Sequence, residues 1–326
     1  MSKKVLLSLM LLLFVVGLTA CSAAEQYLVY VPNAGDGTVT VYDTSTQKVK
    51  QTISVGKTAS HGVAVTPDNR YLYTGDLDGG NIYVVDTQTG KKVKTINVGE
   101  RTHGVDISPD GKYVLVAAGR SGGPILAVID TTTNEIAQTI TEGMAGPTHM
   151  SFSPDGQRAY IADPVANGVI VVDMKTFKVE GVWDSGSEGA QETRPSSDGK
   201  YLYVANYEGG TIGVLDTGSG KLEKIIPTGE KTHAVAVSPD NRYIWVVAQG
   251  QGTVQVIDVE ADYKVAQVID VTPSPNHVSF TPDGQNVFIT DSKENRVYIF
   301  NAKDYSELYH YDVGASPHEI DFVSVQ

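Results

Sequence analysis

The stretch HGVDISPDGKYVLVAA, residues 103–118, recurs as HAVAVSPDNRYIWVVA at 233–248 and as HGVAVTPDNRYLYTGD at 61–76. Related copies begin at Thr148, Gln191, Asn276 and His318, so successive starts lie 42, 45, 43, 42, 43 and 42 residues apart. A fixed period of this size marks a stacked or radial repeat rather than a single irregular core. Each copy divides into four short strands. An apolar strand such as Val105–Ser108 ends in Ser-Pro-Asp-Gly, whose residues suit a tight reversal. A tyrosine-rich strand such as Tyr201–Asn206 follows, then Thr211–Asp216 after a glycine turn, then Leu222–Thr228 after a second polar turn. Four strands per 40-odd residues is the size of a propeller blade.

The copies are out of phase with the chain ends. The first extended segment, Tyr27–Pro32, is of the second-strand type, and the last copy supplies only a first strand, Glu319–Val323. The C-terminal strand is therefore expected to complete the N-terminal blade, closing the ring and removing its open edge. The expectation is an all-β, seven-bladed β-propeller spanning 27–326, with four antiparallel strands per blade. No apolar period of 3.6 residues runs through this part, so essentially no helix is expected in it.

Residues 1–20 read differently. Lys3 and Lys4 precede an apolar run from Val5 to Val16, and Leu18-Thr19-Ala20-Cys21 follows, the pattern of a secretory leader too short to span a membrane comfortably. Cys21 is the only cysteine of the chain, so no internal disulfide is available. Leu-Thr-Ala-Cys resembles the bacterial lipoprotein lipobox, which implies a lipidated Cys21, a short tether at 21–26 and an extracytoplasmic, membrane-anchored protein (on the outer membrane if the cell has two). Loss of the leader removes two of the 25 basic residues and none of the 38 acidic ones, leaving 23 against 38 and a formal charge of −15. Such a surface argues against nucleic acid as a partner. A closed ring needs no partner for stability, so a monomer is expected.

Six of the seven histidines, His61, His103, His149, His233, His277 and His318, stand at the entrance to a blade's first strand; His310 falls in an outermost strand. Since first strands line a propeller's channel, the six are expected around one mouth. The loops after the second strands bring Asn33, Asp76, Arg120, Asp163, Asn206, Gln249 and Asp291 to the same face. Imidazoles near carboxylates suit zinc, copper or a haem-type tetrapyrrole. There is a conflict of register. His61, His103, His233 and His318 lie six residues before the turn proline or its equivalent, whereas His149 and His277 lie five before it. In regular strands the two sets would face opposite ways, which makes the first four the safer ligands unless a bulge turns the others inward. The fifth copy has Gln191-Glu192-Thr193-Arg194 in place of histidine.

The repeats resemble the YVTN family of β-propellers: Tyr201-Leu202-Tyr203-Val204-Ala205-Asn206 followed by Thr211–Thr217 carries that pattern, and the likeness covers nearly all of Tyr27–Val325. The histidine-lined mouth is similar to the d1-haem propeller of cytochrome cd1 nitrite reductases and their haem-d1 biogenesis relatives, and to the copper-cluster site of nitrous oxide reductase. These resemblances imply a carrier, chaperone or assembly role, with no CxxCH for covalent haem. Gly146–Gly156 resembles a segment of propeller lactonases, which have arginine where Thr148 stands; that likeness implies His149, Glu192 and Arg194 as base, acid and oxyanion partner. Surface-layer YVTN proteins imply a third possibility, a non-catalytic scaffold for an envelope protein partner. The sequence leaves all three open.

Overall fold

The computed structural model describes residues 25–119, 122–271 and 273–325. The leader, Cys21 and Arg120 lie outside the described residues. Seven four-stranded antiparallel sheets follow one another around a central axis. Blade 1 is built from Tyr27–Asn33, Thr38–Asp43 and Lys48–Ser54, with Asp321–Ser324 as its innermost strand. Blades 2 to 7 then begin with innermost strands Val63–Val65, Thr102–Ile107, Met150–Phe152, Ala190–Pro195, Thr232–Val237 and Pro275–Phe280. Helix is confined, among the described residues, to one 3-10 turn at Gln249–Gln251.

The Ser-Pro-Asp-Gly turns form because their own side chains satisfy the reversing backbone. In blade 3, Ser108 Oγ donates to Asp110 Oδ1 (2.7 Å) and accepts from the Tyr113 amide (3.0 Å), while the Lys112 amide donates to Asp110 Oδ1 (3.1 Å). Gly111 completes the turn at φ 72°, a left-handed conformation that favours glycine. The same Ser/Thr-x-Asp clasp recurs at Thr66, Ser153, Ser196, Ser238 and Thr281.

Second and third strands are buried on both faces, whereas fourth strands such as Lys178–Asp184 are mostly exposed. The reason is the radial stacking: the middle strands are sandwiched between neighbouring blades, and the seven apolar clusters found among the described residues each join two adjacent blades. The cluster between blades 7 and 1 is the closure. Tyr27 and Val29 pack with Phe288 and Ile299, and Phe322 of the C-terminal strand meets Phe288 at 5.2 Å between ring centres. The pairing Leu28↔Val323 and Val29↔Phe322 fixes the register. The expected seven blades and the expected completion of the first blade by the last strand are both found.

Trp245 fills the interface of blades 6 and 7, fully buried against Phe280, Phe300 and Tyr305. Replacement Trp245→Ala leaves a large cavity there and is expected to cost about 3–5 kcal/mol, measured by chemical denaturation.

Candidate functional site

Each innermost strand reaches the axis in the same order, so residues at equivalent repeat positions form layers down the channel. Six residues before the turn proline stand His61, His103, Thr148, Gln191, His233, Asn276 and His318; one residue later stand Gly62, Gly104, His149, Glu192, Ala234, His277 and Glu319. Two residues deeper are Asp106, Arg194 and Asp321 among small residues. Blades carrying an upper histidine mostly place Gly or Ala below it, while Thr148 and Asn276 stand above the two lower histidines. This alternation lets all six rings fit on one axis.

The rings converge. His61 and His318 stack with centres 3.7 Å apart and planes 6° from parallel. His61 and His103 are 4.3 Å apart, His103 and His149 4.9 Å, His149 and His277 4.8 Å, His233 and His277 4.9 Å, and His277 and His318 5.5 Å. His149 and His277, which a regular strand would turn away, are therefore within the cluster. The strand entrances are not regular: the ladder register shifts between Pro275 and Val278, and likewise at Thr102–Val105, Ala190–Glu192 and Thr232–Ala234. His149 lies just ahead of Met150–Phe152, where its carbonyl accepts from the Ala162 amide at 2.9 Å. His310 is elsewhere, half-exposed on the rim and 2.9 Å from Glu307.

Blades 1, 2 and 3 are pinched together at the mouth. The His61 and Gly62 amides both donate to the His103 carbonyl (3.1 and 3.2 Å), and the Glu319 amide donates to the His61 carbonyl (3.3 Å). A Cβ on Gly62 would fall 2.1 Å from the Val105 nitrogen and 2.9 Å from Glu319 Oε2, so only glycine permits this approach.

The carboxylates that meet imidazoles are not those expected from the loops. Asp163 accepts from the amides of Ala145, Gly146, Val165 and Ala166, and Asp291 from those of Ser274 and Lys293; they hold loops in shape. Asn33 and Asn206 donate to neighbouring threonines, and Asp76 accepts from Tyr83. Gln249 reaches Asn276 and Tyr207. Instead, Glu319 Oε1 lies 2.6 Å from His149 Nδ1, and Glu192 Oε2 lies 3.2 Å from His277 Nδ1. Glu192 Oε1 also accepts from Arg194 Nη2 at 2.7 Å. His233 Nδ1 is 2.9 Å from the Asn276 carbonyl, which can only accept, so the proton is on Nδ1. His149 Nε2 and His277 Nε2 are buried with no hydrogen-bond partner among the described residues. Aligning the repeats one and three positions past the histidine column would have revealed Glu192, Glu319, Asp106 and Asp321.

The electrostatics follow from burial with one cation for four acids. Burial, reinforced by neighbouring imidazoles, holds His149, His277 and His318 well below the ordinary histidine value. Burial raises Glu192 against the opposing pull of Arg194, and raises Glu319 strongly. Asp106 is pushed up to about 6 and Asp321 to about 7, again mainly by burial. These groups line a narrow channel deep in the molecule; the Arg194 side chain keeps 36% of its exposure there. Asp106, Arg194, His277, Glu319 and Asp321 border about 80 Å³ of channel space, room for a few waters. At the mouth a cavity of about 590 Å³ opens beside His61 and His103, walled by Leu77, Glu100, Arg101 and Thr102.

An acid whose folded pKa is raised destabilises the fold once it ionises. That cost is absent below the unfolded value near 4 and complete above the folded value, about 7 for Asp321. Asp321→Asn keeps an oxygen for the Val65 amide, which Asp321 Oδ2 accepts at 2.8 Å. The variant is expected to gain stability progressively from pH 4 to 7, on the order of 2 kcal/mol after screening by channel water, and to hold the gain at pH 8. Denaturant titrations of both proteins across this range provide the measurement.

No curated protein matches the chain in sequence. Among solved structures, Kuenenia stuttgartiensis hydrazine synthase superposes with a TM-score of 0.74 at 22% identity, over 85% of this chain and 95% of that one. A functionally unknown protein from Desulfotomaculum acetoxidans DSM 771 gives 0.78 at 18% identity, over 91% and 98%. Dihydro-heme d1 dehydrogenase NirN, in complex with DHE, gives 0.69 at 19% identity, over 90% and 74%. At these identities the likeness is one of fold. Among the described residues no helix is long and apolar enough to cross a membrane. The family described as "Lactonase, 7-bladed beta-propeller" matches residues 20–262 and 184–308, and with the closed seven-bladed ring it places this chain in that family.

Proposed function

We propose that this protein is an extracytoplasmic, lipid-anchored and monomeric binding protein for a transition-metal ion, zinc or copper, held by imidazoles on the propeller axis. The observation that carries the reading is the packing of six histidine rings from six blades, with nearest centres 3.7–5.5 Å apart, in a site that contains buried carboxylates. His149, His277 and His318, kept neutral by burial and by one another, would be an expensive way to build a core without a cation, since each carries a polar nitrogen out of water. Holding one ring nitrogen by a carboxylate or carbonyl so that the other faces a metal is the usual support for imidazole ligands. Glu319, Glu192 and the Asn276 carbonyl stand in that relation to His149, His277 and His233. Neutral histidines are ready ligands at neutral pH, needing no proton loss. The role that fits is carriage or delivery of the ion to an envelope protein partner, with Cys21 lipid holding the propeller near the membrane.

A metal tetrapyrrole is a second reading, favoured by the cavity of about 590 Å³ beside His61 and His103. A macrocycle does not fit between rings this close, so it would be held in the cavity by His61 or His103. Lactone hydrolysis is less well supported despite the family. His149 is engaged by Glu319, while Glu192 is engaged by Arg194 and lies against His277, so the three residues do not present a base, an acid and an anion site to one point.

Tag-free protein equilibrated with Zn²⁺ or Cu²⁺ and dialysed is expected to retain metal by mass spectrometry. The variant His61→Ala/His103→Ala/His233→Ala/His318→Ala should lose it; full retention there would defeat the site assignment, and a visible absorption band from co-purified pigment would favour the tetrapyrrole instead. Replacement Cys21→Ser is expected to move the protein from the membrane fraction to the soluble one, and unchanged membrane association would remove the lipid anchor from the proposal.

A further inference from the structure

We infer that the six histidines form two separate three-histidine sites, so that the channel mouth holds a pair of metal ions. The inference rests on the metal reading above and adds its stoichiometry and the division of ligands. One site takes His61, His103 and His149 from the consecutive blades 2, 3 and 4; the other takes His233, His277 and His318 from the consecutive blades 6, 7 and 1. Blade 5, which carries no histidine, supplies Glu192 and Arg194.

Three observations separate the ligands. His61 and His318 lie face to face, 3.7 Å between centres and 6° from parallel. A ring nitrogen binds along its own plane, so two rings stacked in this way cannot both point at one ion about 2 Å from each. They serve two ions. Secondly, the ligand nitrogens of His61, His103 and His149 all lie within 4.8 Å of one another, a set that one ion can gather. In the second set the ring centres are 4.9, 5.5 and 6.4 Å apart, each wider than its counterpart in the first set at 4.3, 4.9 and 6.2 Å, so these three rings must draw together to take an ion. Thirdly, each set has its own carboxylate support: Glu319 of blade 1, from across the channel, for His149, and Glu192 of blade 5, two blades away, for His277. Each site then has three protein ligands and an open position, the coordination of ions that exchange or react rather than of structural ones.

The test is stoichiometric. Tag-free full-length protein is equilibrated with Zn²⁺, then with Cu²⁺, and bound metal per chain is measured beside His61→Gln/His103→Gln and His233→Gln/His318→Gln, with circular dichroism confirming the fold of each. Two ions in the parent and one in each double variant are expected, and the Cu²⁺ form of the parent should show a spin-coupled or broadened electron paramagnetic resonance signal that each double variant converts to an isolated-ion spectrum. One ion per chain in the parent, absent from both variants, overturns the two-site division while leaving the metal reading intact. Two ions lost together in either variant overturn it in favour of one shared cluster. No ion in the parent removes both proposals.

Discussion

Closure of the ring is the constraint on which everything else depends. A blade is a four-stranded sheet with two apolar faces, and it is stable only when both faces are covered by neighbours. Seven interfaces cover fourteen faces if the last blade meets the first, and the Asp321–Ser324 strand makes that happen by pairing with Tyr27–Asn33. Tyr27, Phe288 and Phe322 seal the join. Once the ring is closed, the innermost strands have no freedom to move outward, and whatever they carry at the axis must coexist.

What they carry is polar, and this sets the chemistry. Apolar side chains hold the blades together from the second strand outward, whereas the first strands present histidine, glutamate, aspartate and arginine to a passage with room for a few waters. In that setting the groups must either pair with one another or wait for a ligand. Arg194 with Glu192 does the first. His149 and His277 have each turned Nδ1 to an acid, and their Nε2 atoms are buried with no hydrogen-bond partner among the described residues.

The asymmetry of the mouth also has a mechanical origin. Direct backbone hydrogen bonds tie the entrances of blades 1, 2 and 3, made possible by Gly62, and they bring His318, His61 and His103 closer than seven-fold spacing would place them. Blade 5, with its glutamate and arginine, occupies the opposite sector. Repetition of a single blade pattern has therefore produced a site with distinct sides.

The sequence by itself determined the blade count, the strand order within a blade and the closure, because each depends on local signals: the period of the repeats, Ser-Pro-Asp turns that bond to their own backbone, and the phase of the first and last copies. It also marked the histidine column. It did not determine which rings meet. Alternation along an ideal strand set His149 and His277 apart from His61, His103, His233 and His318, and the three-dimensional structure joins them because the strand entrances are bulged and no longer alternate. Nor did it find the partners: the loop residues Asp163 and Asp291 accept from backbone amides, while Glu192 and Glu319 reach their histidines from non-adjacent blades remote in sequence. Contacts across a closed ring link positions as far apart as 149 and 319, and only the packing of all seven blades fixes such a distance.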